Sequence, residues 1–255
     1  MGAIHVGTAG WSISSVYKAD FPATGTHLER YAARFDCVEI NSSFYRPHLH
    51  ETYTRWADSV PDGFRFSVKM PKSITHEKRL RNYDSLLAAF LGEVSGLGDK
   101  LAVLLAQTPP SLAFEASTVE VFLRAVLSAS TGRIVVEARH RSWFKPEAES
   151  LLADLGVAQV AADPPHGGSV APATAGRTGI AYFRFHGRPR IYYSNYDAAA
   201  LEGIASDLKM AAHGGPVWCI FDNTAEGHAL ANARDMLALL GSARDGDGPP
   251  GSINR

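Results

Sequence analysis

Cysteine is scarce in this chain: there are two in 255 residues, Cys37 and Cys219, far apart and each inside an apolar run. They form no CxxC pair, so neither a disulfide framework nor a cysteine-ligated zinc site is indicated, and both read as small buried hydrophobes. An excess of either charge is lacking too. Lys and Arg number 25 against 26 Asp and Glu, a formal −1, which argues against a generic coat for nucleic acid or a membrane surface. No apolar run approaches the ~20 residues of a membrane span. No basic start precedes an apolar stretch of leader length, so the cytoplasm is the expected compartment. No GxGxxG follows the first apolar run, where Gly7, Gly10 and Trp11 stand instead, and this counts against a dinucleotide-binding doubly wound sheet. No HExxH or similarly tight ligand spacing occurs, so no cofactor is expected.

What is present is alternation. Short apolar, β-rich runs begin near Ile4, Cys37, Phe64, Leu101, Arg133, Val157, Ile180 and Val217. Their mean separation is about 30 residues, the size of one βα unit. Between them residues 26–35 place Leu28, Tyr31, Ala32 and Phe35 on one helical face, and residues 84–94, 117–127, 147–155, 198–213 and 226–240 repeat that spacing. Runs such as Leu101 to Ala106 are apolar throughout, as parallel strands buried on both faces are. The expected class is therefore α/β, a (β/α)8 TIM barrel over residues 1–240. The helix between strands six and seven is expected to be missing, because residues 163–179 hold three Pro and four Gly. The Gly/Pro/Asp-rich residues 241–255 read as a flexible tail.

In such a barrel, function gathers where strands end and the following loops begin. Each end here is polar. The windows 69–81, 139–145 and 184–190 hold 11 basic residues against one acid, leaving 14 basic and 25 acidic elsewhere. A near-neutral chain thus concentrates positive charge at one end of its strands, where a concave rim focuses field toward anions. Arg139 and Arg184 supply planar forks for phosphate or carboxylate. Glu39 and Glu137 are candidate bases, and His140 and His186 candidate acids. Lys69 suits an electrostatic anchor for the anion or, if desolvated, a Schiff-base nucleophile. Thr8, Asn41, His76, Gln107, Asp163 and Asn223 are candidate polar contacts, and Trp11, Tyr45 and Trp143 candidate walls. Asn223 or Thr224 also has the look of a cap for the last helix. A divalent metal held by Glu39, Glu137, Asp163, His186 and Asp222 is the lesser alternative, since Lys69, Arg139 and Arg184 share that end and repel a cation.

The segments GTAGW (7–11), VEINSSFYRPH (38–48), FSVKMPKSITH (66–76), QTPPS (107–111), VEARHRSWF (136–144), ADPP (162–165), YFRFHG (182–187) and FDNTAEGHALANA (221–233) span nearly the whole chain. Together they resemble the family of domain of unknown function 72, the YecE-like proteins. Ala9, Ser43, Thr108, Ala138, Arg141 and Asp222 depart from that pattern. The resemblance implies a TIM barrel and names no reaction. The expected function is an enzyme acting on a small phosphorylated or carboxylated molecule by acid/base chemistry at the barrel mouth. A nucleic-acid binder or endonuclease IV-like phosphodiesterase, and a non-catalytic ligand-binding protein, are the alternatives. No membrane partner is expected, and the oligomeric state stays open.

Overall fold

The computed structural model describes residues 1–165 and 178–241. Its strands are β1 (Ile4–Thr8), β2 (Cys37–Ile40), β3 (Arg65–Lys69), β4 (Leu101–Gln107), β5 (Arg133–Glu137), β6 (Ala158–Gln159), β7 (Ala161–Asp163), β8 (Ala181–Phe185) and β9 (Val217–Phe221). Its helices are α1 (His27–Ala32), α2 (His50–Asp58), α3 (Asp84–Val94), α4 (Ala116–Ala129), α5 (Pro146–Asp154), α6 (Ala198–Ala211) and α7 (His228–Leu240). All strand pairings are parallel, running β2-β3-β4-β5-β6 on one side and β1-β9-β8-β7 on the other.

The two sheets meet at two seams. At one, β6 and β7 are halves of the sixth predicted strand, broken at Val160; the first half pairs with β5 and the second with β8. Val160 keeps its own N–H on the Val136 carbonyl at 2.9 Å. At the other, β1 and β2 are joined by a bridge between Ala9 and Glu39, with Gly10 N donating to Glu39 O at 2.8 Å. That approach requires glycine in β1, because a Cβ on Gly7 would sit 2.4 Å from the Cys37 carbonyl oxygen. The result is the eight-stranded α/β TIM-barrel architecture.

Alternation along each strand sorts the side chains. Val38, Phe66, Val68, Leu104, Ala106, Ile134, Val136, Phe183 and Phe221 belong to the large core that also holds the helices' apolar faces. Cys37, Val103, Leu105, Val135, Val160, Tyr182, Trp218 and Ile220 form a second, smaller core. Tyr182 and Trp218 stack there at 5.8 Å. Burying each large apolar side chain contributes about 1.5–3 kcal/mol, so this plug secures the lower half of the barrel. Two residues further along the same strands, the parity that carries this second core becomes polar: Glu39 follows Cys37, Gln107 follows Leu105, Glu137 follows Val135, Arg184 follows Tyr182 and Asp222 follows Ile220.

Several expectations need correction. Helix α2 was not anticipated. Its sequence HETYTRWAD is polar overall, and it is held by burying Tyr53 and Ala57 on one side. The last helix is not capped by Asn223 or Thr224. Its N-cap is Gly227, with no side-chain cap bond. The expected loop between β7 and β8 falls largely on residues 166–177, and the expected tail on 242–255, both outside the described residues. Among the described residues no helix is long and apolar enough to cross a membrane.

Candidate functional site

The centre of the site is Arg184, which is fully buried. Its Nε and Nη2 donate to Glu39 Oε2 and Oε1 at 3.0 and 2.7 Å. Its Nη1 donates to Glu137 Oε2 at 2.5 Å and its Nη2 also to Asp222 Oδ2 at 3.0 Å. These partners come from β2, the end of β5 and the residue after β9, so the barrel must close before the network exists. Burial opposes the guanidinium charge, yet the three carboxylates outweigh it and push its pKa further up.

The network extends on both sides. His186 lies between carboxylates, with Nδ1 3.0 Å from Asp222 Oδ2 and Nε2 3.1 Å from Glu137 Oε1. Burial alone lowers its pKa, but Glu137 and Asp222 turn the shift upward. Asp222, whose burial favours the neutral acid, is held below the usual carboxylate range by Arg184 and His186. Gln107 donates to Glu137 Oε2 at 2.8 Å. The Tyr182 hydroxyl lies 2.9 Å from Glu39 Oε2 and 2.8 Å from Ser67 Oγ, a geometry that lets it donate to the first and accept from the second. Gly187, at φ +87°, turns the chain back so that the Tyr192 ring meets His186 edge-on at 5.7 Å.

Lys69 stands apart. It is 5% exposed, and its Nζ sits 4.2 Å over the Phe44 ring. Both oxygens of Glu39 and of Glu137 are already engaged by Arg184, Tyr182, Gln107 and His186. Among the described residues Lys69 makes no side-chain hydrogen bond or ion pair. Burial, then the neighbouring Arg184, push its pKa down to about 8, partly offset by Glu137, Glu39 and Asp222. Arg139 is a second cation, paired on one side only. Its Nη2 is 3.5 Å from Glu137 Oε1, while its buried Nε has no partner. His76 is near both, for its pKa falls through burial and then through the charges of Lys69 and Arg139. Asn41 adds a buried Oδ1 without a partner.

The expected basic rim therefore condenses to a few groups. Lys72 pairs with Glu77 at 3.6 Å, Arg81 with Glu115 at 2.8 Å and Arg188 with Asp163 at 3.4 Å. Arg79 is bound to Ser111. Arg184 is itself a correction: it was expected to grip a ligand, but it is sealed from solvent with four N–H···O bonds to carboxylates. Among the described residues, and counting His186 as charged, four cations (Lys69, Arg139, Arg184 and His186) face three carboxylates, Glu39, Glu137 and Asp222.

Other expected site residues serve the scaffold. Thr8 takes the parity opposite to the polar ring, and its Oγ1 donates to Gly10 O at 2.6 Å beside the Tyr31 hydroxyl. Trp143 is buried, donates from Nε1 to Leu112 O at 2.9 Å and packs on Phe114, away from the carboxylates. His140 accepts from Ser142 N at 3.2 Å as the cap of a short turn, and no bond joins it to the network. Asn223 clamps the α6–α7 side through Ser194 O and Asn232 Oδ1. Glu39 and His186 are wholly buried within the network. Trp11 packs edge-on against Trp56 at 5.0 Å, and Tyr45 is exposed beside Phe44. Sequence reasoning missed Ser67 and Tyr182 as members of the site, and it weighed Asp222 only as a metal ligand. The signal was available, since each lies two residues from a selected or inward residue on its own strand.

The carboxylates and histidine weighed as metal ligands, except Asp163, do meet, but around a guanidinium. Among the described residues no group of three His, Cys, Asp or Glu is arranged to hold a metal ion.

Comparison with known proteins places this chain in a family. The family model "Protein of unknown function DUF72" matches residues 5–252. The UPF0759 protein YecE of Escherichia coli K12 is 34% identical over 106 residues, a match covering 42% of this chain and 38% of that relative's length. The UPF0759 protein YunF of Bacillus subtilis is 26% identical over 93% of this chain and 94% of its own. A DUF72 family protein from Thermotoga maritima superposes with a TM-score of 0.79 at 27% identity, covering 94% of this chain and 99% of that one. A sugar phosphate isomerase/epimerase from Parabacteroides distasonis shares the fold at a TM-score of 0.55 and 13% identity, over 95% of this chain and 97% of its own. By these matches the chain belongs to the DUF72 family.

Proposed function

We propose that the barrel mouth is the active site of an enzyme acting on a small anionic substrate, phosphorylated or carboxylated. The observation that carries this reading is the pair of under-compensated cations: Lys69, buried without a counter-ion among the described residues, and Arg139, with a buried Nε lacking a partner. Leaving buried donors unmatched costs about 1–3 kcal/mol each, more when charged. An anion seated between them satisfies both. Proton transfer then falls to Lys69, whose pKa of about 8 lets it hold or release a proton near neutral pH. Arg184, Glu39, His186 and Asp222 keep this arrangement rigid in a water-poor setting, where fixed charges act strongly. The likeness to the sugar phosphate isomerase/epimerase is one of fold and lends no substrate. A nucleic-acid reading would need a long free basic track, whereas Lys72, Arg79 and Arg81 are already engaged.

The test is a thermal-shift and calorimetric screen of inorganic phosphate and small phosphorylated or carboxylated metabolites against the protein and Arg139→Gln. A compound that raises Tm and binds the variant at least tenfold more weakly supports the reading. Absence of any anion-dependent shift, or equal binding by the variant, contradicts it.

A further inference from the structure

We infer that Lys69 is a nucleophile that forms an imine with the carbonyl group of its substrate, so that the substrate is an anion bearing an aldehyde or ketone. This rests on the anion reading above and narrows it. Two features separate Lys69 from a simple anion anchor. It lies at the inward end of β3 and is only 5% exposed, and this removal from water favours the neutral, nucleophilic form. The nearest acids are also unavailable as its counter-ions, because Arg184 and His186 occupy them. Arg139, with its free Nε and 19% side-chain exposure, is then the group that grips the anionic end. Nucleophile and anion clamp are distinct residues brought to one place by β3 and by the chain leaving β5. The depressed pKa of Lys69, about 8, agrees with the geometry.

The step balances. The amine of Lys69 attacks the carbonyl carbon and the C–O π bond breaks. The carbinolamine oxygen then leaves as water, carrying the two protons that the ammonium no longer holds. Lys–NH3⁺ and O=C thereby become Lys–NH⁺=C and H2O, with no oxidant or reductant. The iminium acidifies the adjacent carbon, so isomerisation, lyase and hydrolytic chemistry all remain within its reach.

The experiment is reductive trapping of the whole chain. The protein is incubated with sodium cyanoborohydride and either pyruvate, dihydroxyacetone phosphate or the uncharged hydroxyacetone, then analysed by intact mass and peptide mapping. Inorganic phosphate binding is measured in parallel. The expected result is a single adduct on Lys69 from one of the anionic carbonyls, at least tenfold faster than from hydroxyacetone. The adduct should disappear in Lys69→Arg and slow about tenfold in Arg139→Gln. Pyruvate against dihydroxyacetone phosphate tells a carboxylate-bearing from a phosphate-bearing substrate. Phosphate binding without a Lys69 adduct overturns the imine and leaves the anion site standing. No binding and no adduct overturns both. Adducts spread over surface lysines, or a Lys69 adduct formed equally fast from hydroxyacetone, also overturns the inference.

Discussion

Arg184 and Glu39 lie 145 residues apart in sequence and face each other as a fully buried fork-to-fork pair, Nε to Oε2 at 3.0 Å and Nη2 to Oε1 at 2.7 Å. Glu137 and Asp222 close the remaining sides. Such a pair is neutral or costly against an apolar equivalent, but removing one partner strands the other. The network is therefore a device of arrangement. It spends three acids on one arginine and leaves Lys69 without a counter-ion among the described residues.

Arg184→Met is expected to destabilise the fold by about 3–5 kcal/mol, a fall in Tm of roughly 10 °C for a chain of this size. Three carboxylates then lose their cation, and Asp222, which Arg184 holds low against the effect of burial, shifts upward. The native state binds the extra protons, and the deficit narrows as pH is lowered from about 7 to about 5. Chemical denaturation across that range checks both the size and the slope.

Lys69→Met is expected to stabilise the protein at neutral pH. The folded pKa of about 8 lies below the ordinary 10.5, so below pH 8 the native state bears the cost of a buried ammonium. That cost is on the order of 1–3 kcal/mol. It fades as pH rises from the folded toward the unfolded value, because there the unfolded chain holds the extra proton. Unfolding curves of protein and variant should converge at alkaline pH.

Glu137→Gln should act on two titrations together. Its carboxylate raises the pKa of both His186 and Lys69, so both should fall in the variant. His186 with a raised pKa adds stability below its unfolded value of about 6.5, stability lost as pH climbs through the folded value. In Glu137→Gln this acid-side increment should shrink. Histidine NMR and unfolding on either side of neutrality measure it.

Trp143→Phe and Thr8→Val separate scaffold from site. The first loses the bond to Leu112 and some packing, the second its tie to Gly10 and Tyr31. Each should lower stability by about 1–3 kcal/mol and leave anion affinity within twofold of the parent.

Much of this was legible from residues alone. Apolar runs spaced by helical stretches place the strands, and period-two alternation puts Glu39, Lys69, Glu137, Arg184 and His186 at the mouth. The fate of Arg184 was not legible, because its partners lie 38 to 145 residues away and meet only when the ring closes. Spacing marks a cation at a strand end without saying whether an acid from another strand will take it. Helix α2 escaped because His50, Glu51, Thr52 and Thr54 dilute its apolar stripe to Tyr53, Trp56 and Ala57. Tyr182 and Ser67 escaped because an inward tyrosine or serine reads as core until a carboxylate is found beside it.

The most direct measurement is NMR titration of the Lys69 side chain, assigned through Lys69→Arg, with and without inorganic phosphate. A midpoint near 8 in the free protein, moving upward as phosphate binds, is the expected result. A midpoint at the ordinary lysine value, unmoved by phosphate and by Arg139→Gln, would contradict the account.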